Sequence, residues 1–507
     1  MKNALKMICV FVVFSTLFVT FACNAAPNSP NDATSGNAGT DDGPNDPGEK
    51  DAPAAETDIA FPHEIIDLGG AAFKILIDKQ WSGNSLDITD YDIEESIGEV
   101  LNDAIYQRNL LIEETYNLKL EGIHADGDSG GNIESFANKT IKAGIDEYDA
   151  FAPRLMTAAT FASKGYGINL SDTALTLDAP WWDQNIIKDT SIGGCAYFIS
   201  GDIFVKHYDG IALLMFNKKL LTDLGLESPY KLVGDNRWTM DKFNQMVKNV
   251  YIDLDQDGKH NRYDRYGFVT QLDYLTSFVN ASGEKLVPKN DSDLPVFLGN
   301  SEKLAQIIDK MNDVYLEDTY CMHRNAYGKE SGSGQLVQFW VFPEGRALFY
   351  WAFPRYMDLG LRDMEDDFGI LPIPKWDPEQ SRYYATVNNW HSYTYMLPAT
   401  VSDVERNSVV LDAMAYHGRK LIKPAYYDVC LQRKYTRDEE SSAMLDIIFS
   451  STVYDLCTVY DIGGYTDALQ SALEKNTINL ASIVEKNEGK INKAIDKLIE
   501  SFENARG

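Results

Sequence analysis

Two periods of apolar residues alternate along most of this chain. Residues 72–77 read as a strand, and 97–116 carry Val100, Leu101, Ala104, Ile105, Leu111 and Ile112 at helical spacing before Asn117 stops the run. A strand at 118–123, a helix at 133–143 and a strand at 148–152 continue the pattern. Farther on, 196–203 and 211–216 read as strands, 218–224 as a short helix, and Thr239 as the N-cap of a helix reaching Val250. Strands at 266–270, 346–351 and 367–372 and a helix at 301–315 follow, the last strand being stopped by Pro372 and Pro374. After Thr400 helices dominate, at 404–422, 441–450 and 480–503. Strand and helix alternating at this spacing predict an α/β fold of βαβ units with a mainly parallel sheet.

The N-terminal stretch breaks this pattern. Lys2 and Lys6 precede an apolar run, 7–21, that ends at Ala22-Cys23. A charged start, a short apolar centre and a small-residue exit predict a signal peptide over 1–22. Residues 24–60 are mostly Asn, Ala, Pro, Gly, Ser, Thr and Asp, with no aromatic residue, and bury too little apolar surface to order themselves. We assign 23–64 to a flexible linker. The junction Thr20-Phe21-Ala22-Cys23 resembles a bacterial lipoprotein cleavage site at its last two positions. The resemblance implies lipidation of Cys23 and a protein tethered to the extracellular face of the cell membrane, or periplasmic in a Gram-negative cell. Ordinary cleavage after Ala22 or Ala25, releasing a soluble protein, is the alternative.

About 445 residues follow the linker in this chain of 507, too many for one core, so two lobes are expected. The formal charge of −30 argues against nucleic acid, whose phosphates need clustered Lys and Arg. Beyond the signal and Cys23, the cysteines are Cys195, Cys321, Cys430 and Cys457, with no CxxC pair and so no zinc motif. An oxidising compartment would permit a Cys430–Cys457 bridge among other pairings.

The sharpest local motif runs from Asp253 to Asp264. Asp253, Asp255, Asp257, Asn261 and Asp264 stand at the oxygen-donor positions of a calcium loop, Gly258 at the turn, and Lys259 where a backbone carbonyl serves. A hard cation wants six to eight oxygens, which this spacing supplies. Asp264 in place of Glu resembles dockerin-type loops, and a structural Ca2+ is expected; an Asp-rich surface turn is the alternative. Gly127-Asp128-Ser129-Gly130-Gly131 matches a serine-protease nucleophile motif by accident, because no suitably placed histidine precedes it. The seven histidines show no ligand spacing, and 76 carboxylates make chance acidic pairs certain. No catalytic signature emerges.

The aromatics are more informative. Trp81 and Trp351 follow strands, where open α/β lobes bind ligands, and Trp182 and Trp390 lie in aromatic clusters. Flat rings suit the apolar faces of sugars, with Asp, Asn and Arg fixing the hydroxyls. For any one of these rings, core packing is the competing role.

Several runs in order resemble the extracellular solute-binding proteins of ABC importers, of the maltose-binding-protein type. They are 208–218 (YDGIALLMFNK), 238–243 (WTMDKF), 264–268 (DRYGF), 342–349 (FPEGRALF) and 367–374 (DFGILPIP). The resemblance implies a two-lobed periplasmic-binding-protein-like type II fold with hinge crossings near His207–Asp209, Trp351–Arg355 and Pro398. The N-terminal lobe would combine 65–207 with 352–398, and the C-terminal lobe 208–351 with 399–507. It further implies a monomeric, non-enzymatic receptor capturing a small solute, an oligosaccharide or sugar, for ABC permease subunits. Trp351 and Tyr208 become the leading cleft residues by position, with Trp81, Trp182, Arg355 and Trp390 beside them. A secreted glycan-active enzyme using paired carboxylates is the second expectation.

Overall fold

The computed structural model describes residues 59–78, 90–125, 133–271, 274–317, 319–323, 338–357, 361, 363–432, 439–475 and 478–506. Cys23, Trp81 and the 127–131 run lie outside the described residues. The first lobe is built on β1 (Ala71–Ile77), α1 (Val100–Tyr116), β2 (Leu118–His124), α2 (Ile133–Ala143) and β3 (Ala150–Ala152). Its strands form a parallel sheet in the order β2-β1-β3. Central β1 is covered on both faces, so Phe73, Ile75, Leu76 and Ile77 are all buried. α1 ends at Asn117, whose left-handed φ of 47° lets its N–H reach the Glu113 carbonyl and turns the chain straight into β2. After β3 come α3 (Leu155–Ser163) and α4 (Gln184–Thr190). The strand expected at 196–203 is absent; Ile199 bridges Tyr395, but Gly201 turns instead to Trp182. The ladder thus never extends beyond single pairs.

The second lobe contains β4 (Leu213–Asn217), α5 (Lys218–Asp223), α6 (Pro229–Gly234), α7 (Met240–Val247), β5 (Tyr266–Thr270) and α8 (Tyr274–Ala281). α9 (Glu302–Tyr315), β6 (Cys321–His323), α10 (Gln338–Val341), β7 (Ala347–Ala352) and β8 (Phe368–Leu371) complete it. The sheet order is β6-β5-β7-β4-β8. β5 runs parallel to β6 and β7, but β4 is antiparallel to both its neighbours. This sheet is therefore mixed rather than mainly parallel. β4 is fed directly from the first lobe without a crossover helix, so no βαβ unit dictates its direction. Thr239 caps α7 and Ser301 caps α9 through side-chain oxygens, as their sequences predict.

The chain passes between the lobes three times. Two passes pair with each other: Ile211 bridges Val387 antiparallel, the Ala212 N–H donates to the Thr386 carbonyl at 2.9 Å, and the Asn388 N–H to the Gly210 carbonyl at 2.9 Å. Gly210 permits this, because a Cβ there would sit 2.2 Å from Ser392 Oγ. The expected crossing at Trp351–Arg355 is thereby corrected to 386–388, since β8 still belongs to the second sheet. Residues 393–398 then lie beside β3 through bridges to Phe151 and Arg154.

The third pass is a helix, α11 (Val404–Gln432), not a boundary near Pro398. Its first turns bury Val409, Val410, Leu411, Ala413 and Met414 in one apolar cluster with β1 residues and pack along α1. Beyond Pro424 the chain enters α12 (Glu439–Ser450), which packs on β8. Residues 399–416 therefore belong with the first lobe. A parallel pair, β9 (Ala385–Thr386) with β10 (Thr452–Val453), leads into α13 (Leu456–Val459), α14 (Tyr465–Glu474) and α15 (Leu480–Arg506). Among the described residues no helix is long and apolar enough to cross a membrane. Cys457 is a buried free thiol, as are Cys195 and Cys321, so no Cys430–Cys457 bridge forms.

Asp412 ties α11 to the first lobe. This fully buried carboxylate accepts from Trp181 Nε1 (3.0 Å), Trp182 Nε1 (2.7 Å), the Thr176 N–H (2.7 Å) and His63 Nε2 (2.7 Å). Removing it strands these donors away from water, at about 3–5 kcal/mol. Asp412→Ala should lower the thermal unfolding midpoint by several degrees, whereas Asp403→Ala on the exposed helix start should change it far less.

Candidate functional site

A cavity of about 580 Å³ opens between the lobes. α3 of the first lobe supplies Met156, Thr160 and Ser163 on one side, while the carboxyl end of β7 and the start of α8 supply Trp351, Phe353, Thr276 and Ser277 on the other. The returning pass adds Asn388, Asn389 and Trp390, and the C-terminal helices add Tyr460, Asp461, Asp467, Gln470 and Lys497. Both lobes, the returning pass and the C-terminal helices thus converge on one space.

Two of the expected rings meet there. Trp390 is 50 % exposed, with the Arg154 guanidinium 5.5 Å from its ring centroid, and Asn388 Oδ1 accepts the Trp390 and His391 backbone N–H groups. Trp351 packs edge-on against Phe353 with centroids 4.7 Å apart, and its buried Nε1 has no hydrogen-bond partner. A buried indole N–H normally finds an acceptor, so this one is open to a ligand oxygen.

The other expected residues lie elsewhere. Trp182 is core, spending Nε1 on Asp412. Tyr208 is also core: it stacks on Tyr426 at 5.2 Å and donates its hydroxyl to Asp202, which fixes the hinge rather than the cavity wall. Arg355 is buried, two residues after Phe353 and outside the lining itself. Sequence reasoning missed Phe353, the Asn388-Asn389 pair and every contribution from the C-terminal helices. Asn388-Asn389 directly before Trp390 was a usable signal; the helices, separated by more than a hundred residues from β7, offered none.

Charge is unevenly distributed around the cavity. Desolvation, reinforced by the neighbouring Asp467 carboxylate, raises the pKa of Asp461. Asp78, at the carboxyl end of β1, accepts from Arg154 Nε at 3.0 Å. Burial, then the charges of Arg355, Arg154 and Lys206, push His391 well below the usual imidazole range, so its ring is neutral.

The aspartate loop is not part of the cavity lining. Carboxylate oxygens of Asp253, Asp255 and Asp257 lie within 4.8 Å of one another, and Gly258 takes a φ of 73°. Asp253 Oδ1 is buried without a partner, and Asn261 Nδ2 donates to Asp255 Oδ2 at 3.0 Å. Asp264 departs from expectation: it is set back from this cluster, with Oδ1 on the Leu254 N–H and Oδ2 on the Asn261 N–H and Tyr251 hydroxyl. Three converging carboxylates with one orphaned oxygen fit a hard divalent cation, with Asp264 bracing the loop.

No protein-family model and no curated protein sequence matches the chain. Solved structures do. An ABC substrate-binding protein from Listeria monocytogenes, in complex with cycloalternan, superposes with a TM-score of 0.54 at 13% identity, covering 84% of this chain and 99% of its own. The chain has the two-lobed fold of ABC-transporter solute-binding proteins. UgpB of Mycobacterium tuberculosis, in complex with glycerophosphocholine, gives a TM-score of 0.53 at 14% identity over 85% of this chain and 99% of its own. A cyclo/maltodextrin-binding protein complexed with maltotetraose gives 0.53 at 12% identity over 85% and 96%.

Proposed function

We propose that this chain is a non-enzymatic receptor that captures a carbohydrate between its lobes and presents it to an ABC permease. The observation that carries this is the interlobe cavity, where Trp390 and Trp351 stand among amide, hydroxyl and carboxylate side chains. Ring faces take up the apolar side of a sugar, and Asn388, Asn389, Asp461 and Gln470 are placed to bond its hydroxyls. The bound carbohydrates named for the Listeria and maltodextrin-binding structures are consistent with this solute class. Hinge closure over the solute then generates the form a permease recognises. A glycan-active enzyme is the second reading, favoured by the Asp461–Asp467 pair at the cavity.

Calorimetry of the full chain against an oligosaccharide panel tests both. Saturable binding is expected, with the sugars recovered unchanged by chromatography after long incubation. Trp390→Ala should weaken that binding about tenfold or more with no loss of thermal stability, since the ring is half exposed. Hydrolysed sugar, or unaltered affinity in the variant, would refute the receptor or its site respectively.

We also infer a structural Ca2+ held by Asp253, Asp255, Asp257 and Asn261 side chains with the Lys259 carbonyl. At a hundredfold excess over its dissociation constant such an ion adds about 2.7 kcal/mol of stability. Chelation should therefore lower the unfolding midpoint of the native chain but leave Asp255→Ala unchanged; equal midpoints with and without chelator would exclude the ion. The tether reading places Cys23 in a lipid anchor. Cys23→Ala expressed in a lipoprotein-processing bacterium should move the protein from the membrane fraction to the soluble one.

A further inference from the structure

Arg355 presents a problem that the cavity lining does not solve. It follows β7, is 6 % exposed, and its buried Nε–H has no hydrogen-bond partner; among the described residues it forms no ion pair. A guanidinium N–H buried without an acceptor is costly, because it loses hydration and gains no hydrogen bond in return.

Asp209 and one oxygen of Asp78 are already committed, Asp78 Oδ1 alone having no partner. Asp209 accepts from the Tyr426 hydroxyl at 2.9 Å and from Lys206 Nζ at 3.0 Å. Asp78 accepts from Arg154 Nε at 3.0 Å and Thr157 Oγ1 at 3.2 Å. Arg355, unlike Arg154 and Lys206, thus donates to no carboxylate among the described residues.

Uncharged orphans gather at the same place. His391, whose ring lies 5.4 Å from Phe353 and 6.3 Å from Tyr356, has an unpartnered Nδ1, and Ser392 Oγ is unpartnered too. Trp351, which lines the cavity with Phe353, adds a further unpartnered donor at Nε1. The neutral state of His391 noted above keeps it able to donate or accept. One anionic group would give the Arg355 guanidinium an acceptor and satisfy several of these donors together.

We propose that the captured solute is an acidic sugar, carrying a carboxylate or phosphate that Arg355 anchors at the hinge end of the cleft while Trp390 holds a ring. This rests on the carbohydrate reading and narrows it. Arg suits the role because its planar fork meets two oxygens of a carboxylate or phosphate at once. Closing on a ligand charge would supply the acceptor the free protein lacks.

The test is titration calorimetry of the full chain with matched probes: digalacturonate against galactobiose for the carboxylate, and glucose 6-phosphate against glucose for the phosphate. We expect one acidic probe to bind at least about tenfold tighter than its neutral partner. Arg355→Gln should erase that preference, leave neutral binding unchanged, and keep or raise the unfolding midpoint of the free protein, because it removes an unpaired buried charge. Arg355→Lys should retain part of the preference, and serves if the glutamine variant fails to fold. Neutral probes binding as tightly as acidic ones would overturn the proposal while sparing the carbohydrate reading. Equal loss of both in Arg355→Gln with a fall in stability would overturn it in favour of a packing role. Silence from all four probes would remove this proposal and count against the carbohydrate reading itself.

Discussion

The backbone pairing of 210–212 with 386–388 is the constraint on which the rest of the molecule depends. A chain passing between two lobes must leave regular sheet, and its amide groups would be stranded without partners if the passes were separate. Laying two passes antiparallel lets each satisfy the other, and Gly210 removes the side chain that would hold them apart. The side chains around this seam add to it, with Tyr208 on Asp202, Tyr426 on Asp209 and Arg419 Nη1 on Asp202 at 2.9 Å.

The chemistry of the cleft follows from that seam. Strands of both sheets deliver their carboxyl ends toward it, so Asp78 after β1, Arg154 after β3 and Trp351 at the end of β7 arrive in one region. The returning pass carries Asn388 to Ser392 through the same space. Asp78, Trp351, Arg355, His391 and Ser392 each keep a buried polar atom without a partner here, as Arg108 Nη2 does between α1 and α11.

Much of the architecture was legible in the chain itself. Periodicity located β1, α1, β2, α2 and β5 to within a few residues, and the two-lobed type II fold followed from short runs such as 208–218. The lobe boundaries did not follow, because a helix that begins in one lobe and ends beside another has no local mark. Strand direction was equally hidden: β4 looks like any apolar run, and only its feed from the first lobe makes it antiparallel. Among the aromatics, residue type could not separate Trp182, saturated by Asp412, from Trp390, which stands half in solvent. The difference lies in a contact 230 positions away.

The third pass distinguishes this molecule from a pair of bodies joined by ribbons. α11 is 29 residues long, is held along α1 at its start, and brings its Gly418 against the backbone of Asp202 so closely that a Cβ would lie 2.0 Å from that carbonyl. A continuous rod of this kind resists twisting and shortening. Its weak point is the ring of Pro424, which deprives one turn of its hydrogen bond. Any change in the angle between the halves must therefore bend this rod, and Pro424 marks where it yields first.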